Sequence, residues 1–474
     1  MEKNNENEKV ISSSIKKDSS SEMKYSSLTH LSYSFGGFFD NFLTAALTIR
    51  VIGFYEDELL LPIILIGVAF FFYGIWNMIN DPLAGYLSDK TTRFTERWGR
   101  RFPWFLFSAF PLAIVYFLIF FVPFTGELLI FLWLLITICI FDLFFSFWMT
   151  NWLALYPDKF RSHKERTKVG GITTILGLLG MAFGMLLPPL FITYGVKASY
   201  LYAALLVAII GLLSAFIMVP GMREDQELRE RALKVVESRK TEDSFFKTMK
   251  FALKQKNFIV YLIAYLATII LMVFMLSSVY FMVRYILKMP AEVEIYILAA
   301  FLFGVLLSVP LWVRLSRTLG NRKMYILGCG FTAIVLLPFL FISSLFVIMI
   351  FAFFLGVSAS ALWTLMYPTF SDVIDEVVEK TGNRQEGTYF GIRTFIGRLS
   401  IVLQAIIFAV VHEITNYVPG AETQSPSAIL GIRIIMALIP MVFFVVAFFL
   451  MLKVYNLTPQ KVKETQNKLM RLKI

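Results

Sequence analysis

Apolar runs of about 20 residues follow one another along most of the chain. They cover residues 29–54, 62–87, 103–124, 128–156, 169–193 and 198–220, then 257–287, 293–315, 323–343, 345–371, 387–416 and 428–453. About 20 helical residues, at 1.5 Å each, cross a hydrocarbon core of about 30 Å. The pattern predicts an all-α membrane protein with twelve transmembrane helices, six in an N-terminal bundle (29–220) and six in a C-terminal bundle (257–453). Residues 221–256 break the pattern with "REDQELRERALKVVESRKTEDSFFKTMK", read as a linker whose amphipathic end lies on the membrane surface. Residues 1–28 are polar and read as a disordered tail, and residues 454–474 as a basic tail.

The polar positions between runs orient the helices. The 88–104 turn holds Lys90, Arg93, Arg97, Arg100 and Arg101, and the 158–168 turn holds Lys159, Arg161, Lys164, Arg166 and Lys168. Arg314, Arg317, Arg322 and Lys323 fill the turn between the eighth and ninth runs. Alternate turns invert this: "YEDELL" has three acids and no base, and "HEITNYVPGAETQSPSAI" has Glu413 and Glu422 with no Lys or Arg. Basic loops stay on the cytoplasmic side, so both tails and the linker are predicted to be cytoplasmic. Two of the basic turns also resemble each other. "GYLSDKTTRFTERWGRR" closes the second run and "WVRLSRTLGNRK" the eighth, with Gly99 and Gly320 before the last bases. Parallel six-helix repeats around a midplane site describe the major facilitator architecture.

Composition agrees with this reading: 58% hydrophobic residues, 16% charged and 49 Phe. The net charge of +11 lies in short loops rather than on a continuous face, which argues against nucleic acid as a partner. Cys139 and Cys329 fall inside apolar runs without ligand spacing, and His30, His163 and His412 form no metal-binding pair. Neither a metal site nor a catalytic Ser/His/Asp or Cys/His set is expected, so the chain reads as no enzyme and as needing no cofactor.

Several motifs in order carry a resemblance. "LSYSFGGFFDNF", "WNMINDPLAGYLSDKT" with the following "GRRFPW", and "SDVIDEVVEKTGNRQEGTYFGIRTFIGRL" are the most specific, with "ALYPDKF" and "GIRIIMALIP" weaker. With them the chain resembles the glycoside–pentoside–hexuronide:cation symporter family (melibiose-permease-like) of the major facilitator superfamily. It is also similar to the sodium-dependent lysophosphatidylcholine symporters of the same broader group.

Ionisable groups at membrane depth are costly and commonly functional. Asn77, Asn80 and Asp81 share one face of the second helix, at i, i+3 and i+4. Their hard oxygens suit a small cation, Asp81 alone suits a proton, and a polar helix end accounts for them equally well. The resemblance tips this to cation binding, with Ser146 standing where the family has a cation-site hydroxyl. The family tends to carry an acid where Asn77 stands, so one negative charge is missing. Asp40 and Asn41 sit near mid-membrane in the first helix, where the resemblance implies a basic–acidic pair used in sugar recognition. Met149 and Thr174 occupy the places of a sugar-binding acid and a sugar-binding Arg, so most of that clamp is absent. Asp142 either replaces the missing acid or makes a polar contact to a neighbouring helix. Arg398 aligns with an intramembrane Lys of the family, and with Arg393 it either pairs with Asp40 or Asp142 or meets an anionic group of the substrate. Trp148 and Trp152 either stack on a sugar or pack in the core. Arg284 is read as snorkelling to the outer surface and Arg433 as an interfacial anchor. Asp89, Arg100, Arg101, Asp372, Asp375 and Arg384 read as a charge lock closing the cytoplasmic side.

The expected function is a cation-coupled symporter of the plasma membrane, a monomer working by alternating access, driven by H+ or Na+ and carrying a sugar or glycoside. Asp81, Asn77, Asn80 and Ser146 would hold the ion. Asp40, Asn41, Asp142, Trp148, Trp152, Arg393 and Arg398 would line the substrate cavity. A lysophospholipid or other amphiphile is the alternative cargo, and a non-transporting sensor or scaffold the second alternative.

Overall fold

The computed structural model describes residues 25–90, 95–160, 163–230, 253–381 and 386–472. Within them, twelve helices are long and apolar enough to cross a membrane. We name them α1 (Ser27–Glu58), α2 (Ile63–Gly85), α3 (Phe102–Phe120), α4 (Glu127–Tyr156), α5 (Lys168–Phe191) and α6 (Lys197–Met222). The second half continues with α7 (Lys256–Leu287), α8 (Val293–Ser316), α9 (Asn321–Leu340), α10 (Leu345–Lys380), α11 (Tyr389–Ile414) and α12 (Pro426–Lys453). The predicted tail at 1–28 and the linker fall largely outside the described residues. The basic C-terminal tail forms a further helix, α13 (Pro459–Leu472), which the apolar pattern did not predict.

An even number of spans puts the start of α1 and the end of α12 on one face, called basal here; the opposite face is distal. The helices begin and end where the backbone can be satisfied. Ser26 caps α1 by accepting from the Thr29 amide at 3.2 Å, and Ser425 caps α12 from Ala428 with Pro426 at the first position. Lipid-facing side chains make stripes, as on α8 with Phe303, Leu306, Leu307 and Leu311 all exposed.

The sequence repeat has a counterpart in space. Gly99 and Gly320 both adopt positive φ (+94° and +80°), the region that favours glycine. Each is covered by the segment after the last helix of its own half. A Cβ on Gly99 would lie 2.5 Å from the Glu224 carboxyl carbon, and one on Gly320 2.7 Å from Pro459. Glu224 accepts the backbone amides of Arg100, Arg101 and Phe102, capping the start of α3. At the equivalent place, Arg322 donates to the carbonyls of Tyr455 and Leu452. The distal ends of α1 and α7 also match. Each widens into a π turn, Phe54–Glu58 and Met282–Leu287, and stops at a left-handed residue, Leu60 or Lys288. In both, the next amide reaches back six residues: Leu61 to Tyr55 and Met289 to Val283.

Tight helix pairs rest on glycine. In α5, Cβ atoms on Gly180 and Gly184 would lie 2.3 and 2.4 Å from the Phe38 and Phe42 carbonyl oxygens of α1. In α8 and α10, Gly304 and Gly356 stand as close to the Phe353 and Phe301 carbonyls, at 2.1 and 2.0 Å. Close backbone approach of this kind is how membrane helices gain packing energy when the solvent itself is apolar. Gly180→Leu and Gly356→Leu are therefore expected to lower thermal stability in detergent by about 1–3 kcal/mol each. Gly171→Leu, where a Cβ meets nothing within 4 Å, should leave it unchanged. Equal melting temperatures for all three variants would show that these contacts carry no packing strain.

Candidate functional site

Three turns of α2, α4 and α11 bring the polar residues of the membrane interior together. α2 presents Asn77, Asn80 and Asp81 on one face, as their spacing requires. From α4, Ser146 donates to Asp81 Oδ1 at 2.5 Å. From α11, in the other half, Arg398 Nη2 donates to Asp81 Oδ2 at 3.0 Å. One turn before Ser146, Asp142 is buried and held by both amides of α2. Asn77 Nδ2 donates to its Oδ1, and Asn80 Nδ2 to its Oδ2 at 3.1 Å and to its carbonyl at 2.9 Å. The two carboxylates and one guanidinium leave one net negative charge. Asn77 Oδ1 and Asn80 Oδ1 are buried acceptors with no hydrogen-bond partner. Such oxygens cost free energy unless a cation or donor meets them.

This arrangement revises several assignments read from the sequence. Asp142 and Arg398 join the α2 cluster instead of a separate substrate wall. Arg398 pairs with Asp81 rather than with Asp40 or Asp142. Asp40 is half-buried in α1, and no hydrogen bond or ion pair is made by its carboxylate among the described residues. Asn41 donates to its own helix at the Gly37 carbonyl, 3.0 Å away, and its amide nitrogen lies 3.2 Å from where a Cβ on Gly177 of α5 would stand. Trp148 and Trp152 are core rings, not open platforms. They stack on each other at 5.5 Å, Trp148 packs on Phe39, and Trp152 exchanges hydrogen bonds with Tyr33 of α1. Met149 brings no charge, and Thr174 turns its hydroxyl back to the Gly170 carbonyl.

Arg393, one turn before Arg398's turn on α11, is buried among Tyr265, Tyr367, Phe370 and Phe390, its guanidinium carbon 4.7–5.2 Å from each ring centroid. Among the described residues it meets neither Asp40 nor Asp142. No group of three or more His, Cys, Asp and Glu that would hold a metal occurs among the described residues. Cys139 and Cys329 are both free.

The lock that joins the halves among the described residues lies on the distal face. "YEDELL", read as an acidic turn between two runs, lies in the buried π turn of α1. Glu56 bonds His412 at 2.8 Å. Asp57 accepts from Tyr285, Tyr417 and the Gly420 amide, and Glu58 accepts from Arg284 at 2.7 Å. Arg284 thus bridges the halves and does not snorkel. A second buried pair, missed in the sequence, joins Arg50 of α1 to Glu294 of α8 at 2.5 Å, with Tyr194 also on Glu294. Arg433 is likewise no anchor at the interface; it is buried and closes the end of α9 through the Phe339 carbonyl and Ser343. His30 belongs to α1, where it bonds Glu165 at 2.8 Å.

At the basal face the described bonds stay within each half. Arg101 donates to Ser88 and Asn151, and Asp372 accepts from Asn321. The Arg100 amide meets Glu224. Asp375 makes an interaction whose partner is not described, and the side chain of Asp89 and all of Arg384 lie outside the described residues.

Two measurements follow. Asp81 and Arg398 keep 28% and 26% of their side-chain exposure, so Asp81→Asn alone should cost on the order of 2 kcal/mol, below the ~3–5 of a fully buried pair. Pairing it with Arg398→Gln should recover most of that loss in a double-mutant cycle; additive losses would mean the two do not interact. Arg284→Gln should open the distal face. With Cys139 and Cys329 replaced, Ser277→Cys, whose native hydroxyl bonds the Thr48 carbonyl across the interface, should react about tenfold faster with an impermeant maleimide, equivalent to about 1.4 kcal/mol. Unchanged labelling would remove Arg284 from the lock.

The geometry can be set beside known proteins. Residues 32–459 match the family model for MFS/sugar transport proteins. A putative sulfoquinovose importer of Salmonella typhimurium is 24% identical, aligning 93% of this chain with 92% of that protein. The glucuronide carrier protein homolog of Escherichia coli is also 24% identical, over 92% of this chain and 94% of its own. The sodium-dependent lysophosphatidylcholine symporter 1 of Mus musculus is 23% identical, over 97% and 91%. Among solved structures, a nucleoside transporter, NupG, superposes with a TM-score of 0.60 at 15% identity, over 90% of this chain and all of that one, a likeness of fold. The chain is a multi-pass membrane transporter of the major facilitator fold, and it belongs to the MFS/sugar transport protein family.

Proposed function

We propose that this transporter is a cation-coupled symporter that binds one monovalent cation between α2 and α4 and carries a sugar. One observation carries the reading. Asp142 is gripped by the amide nitrogens of Asn77 and Asn80, while the amide oxygens of those residues remain buried without donors. The carboxylate that α2 lacks at position 77 is supplied from α4. With Asp81 and Ser146 beside it, the cluster has the hard-oxygen donors and the net charge of −1 that suit Na+. A proton on Asp142 satisfies the same charge but supplies one O–H donor for two amide oxygens. Arg398 bonds Asp81 from the second half, so an ion that competes for Asp81 changes a contact between halves. The relatives named for sulfoquinovose and glucuronide support the sugar cargo, and the sodium-dependent relative supports the ion. The basic turns support a cytoplasmic basal face, and the cell's plasma membrane is the natural site for such uptake.

A second reading, lysophospholipid transport, is favoured by the similarity to the mouse symporter and by the uncharged Met149 and Thr174. A sensor or scaffold has no observation in its favour.

Purified protein in proteoliposomes tests the proposal. An inward Na+ gradient should drive accumulation of a glucuronide or sulfoquinovose, and Asp142→Asn should reduce that accumulation at least about tenfold, the effect of losing a stabilising contact worth about 1.4 kcal/mol. Sugar exchange without a gradient should persist in the variant. Accumulation driven equally well by a proton gradient alone overturns the sodium assignment. Lysolipid uptake with no sugar uptake overturns the cargo.

A further inference from the structure

We propose that Arg393 and the aromatic side chains around it form an anion subsite, and that the transported sugar carries an acid group which this guanidinium receives. The inference rests on the sugar reading above and narrows it to one substrate class.

Three other guanidiniums inside the helices each have a carboxylate. Arg50 has Glu294, Arg284 has Glu58, and Arg398 has Asp81. A charge taken out of water needs a counter-charge, and these three have one. Arg393 is as deeply placed, at 6% exposure, and no carboxylate reaches it among the described residues. Its surroundings are π faces: Tyr265 of α7, Tyr367 and Phe370 of α10, and Phe390 of α11. The hydroxyls of Tyr261 and Tyr367 lie within hydrogen-bonding reach of the guanidinium.

Aromatic faces stabilise a cation without consuming its N–H donors. Nε and Nη1 of Arg393 are buried and make no hydrogen bond. A guanidinium offers five donors in a planar fork, the geometry that matches the two oxygens of a carboxylate, sulfonate or phosphate. Rings on the faces and free donors at the edge fix the direction from which an oxyanion can approach.

The position also fits. Five residues separate Arg393 from Arg398, about 7.5 Å along the helix axis. Tyr265 spans the gap. Its ring faces Arg393, and its hydroxyl lies 2.9 Å from where a Cβ on Gly397 would stand, beside Arg398. The Tyr367 wall is 54% exposed, so the cage has an open side.

The test compares a glucuronide with the matching neutral glucoside, which differ in the acid alone. Binding to the purified full-length protein is followed by ligand-induced thermal stabilisation and by calorimetry. The wild type should bind the glucuronide at least about tenfold more tightly than the glucoside. In Arg393→Gln that ratio should fall to about one, and in Arg393→Lys it should fall part-way, because a point charge replaces the fork. Tyr367→Leu, which keeps the charge and removes the open wall, should lower glucuronide affinity without abolishing the preference; it keeps the test usable if Arg393→Gln fails to fold. Equal wild-type affinity for the two sugars overturns the anion subsite and leaves sugar transport standing. So does an Arg393→Gln variant that weakens both sugars by the same factor. Binding of neither sugar overturns the sugar reading and this one with it.

Discussion

A charge inside an apolar bundle is costly unless an opposite charge meets it, and in this protein three arginines find that partner on the other half. Arg50 meets Glu294, Arg284 meets Glu58 and Arg398 meets Asp81, each pair spanning α1–α6 on one side and α7–α12 on the other. Desolvation makes each unpaired state expensive. The two halves are therefore coupled through electrostatics as well as through packing. The distal π turns of α1 and α7 are where this is most concentrated, because one end carries three acids and the other carries Arg284 and Tyr285.

The twelve spans and the central repeat were legible in the sequence because their signals are local. A run of 20 apolar residues is visible without knowing its neighbours, and Gly99 and Gly320 stand in matching basic turns that the structure confirms as matching backbone. The face of Asn77, Asn80 and Asp81 was legible for the same reason, since helical spacing alone puts three polar residues together. What the sequence hid depends on contacts far along the chain. Arg50 and Glu294 are 244 positions apart, and neither breaks its own apolar run enough to draw notice. "YEDELL" has the composition of a solvated loop; only His412 and Arg284, from distant helices, make it a buried lock. Asp142 was grouped with the substrate because the amides that hold it come from another helix. The cage of Arg393 was invisible because Tyr265, Tyr367 and Phe390 are three aromatics among many, on three different helices.

Asn77 and Asp142 show how one buried carboxylate can join two helices. An amide at position 77 can both donate to a carboxylate and accept from, or coordinate, a cation, which a carboxylate at that position cannot do. Placing the acid on α4 then couples two helices through one buried group, where two acids on α2 would have repelled each other on a single face. The contact of Asn77 with Asp142 is a link between α2 and α4.

The energetics of the distal lock bear on how such a protein can change shape. Buried ion pairs return roughly what their desolvation costs, so several of them specify an arrangement more than they deepen it. Glu56 with His412, Asp57 with its two tyrosines, and Glu58 with Arg284 therefore hold the distal face in one register without an energy that would trap it there. When water enters, each member can be rehydrated, and the loss of the pair is offset by solvation. Apolar contacts of equal area would lack that exchange, since wetting them always costs free energy. A closure built from charges and hydroxyls is thus reversible at small net cost, while the glycine-mediated contacts of α1 with α5 and α8 with α10 keep each half rigid. Between the halves the ion pairs act beside close packing, as where Gly74 of α2 meets Val402 of α11.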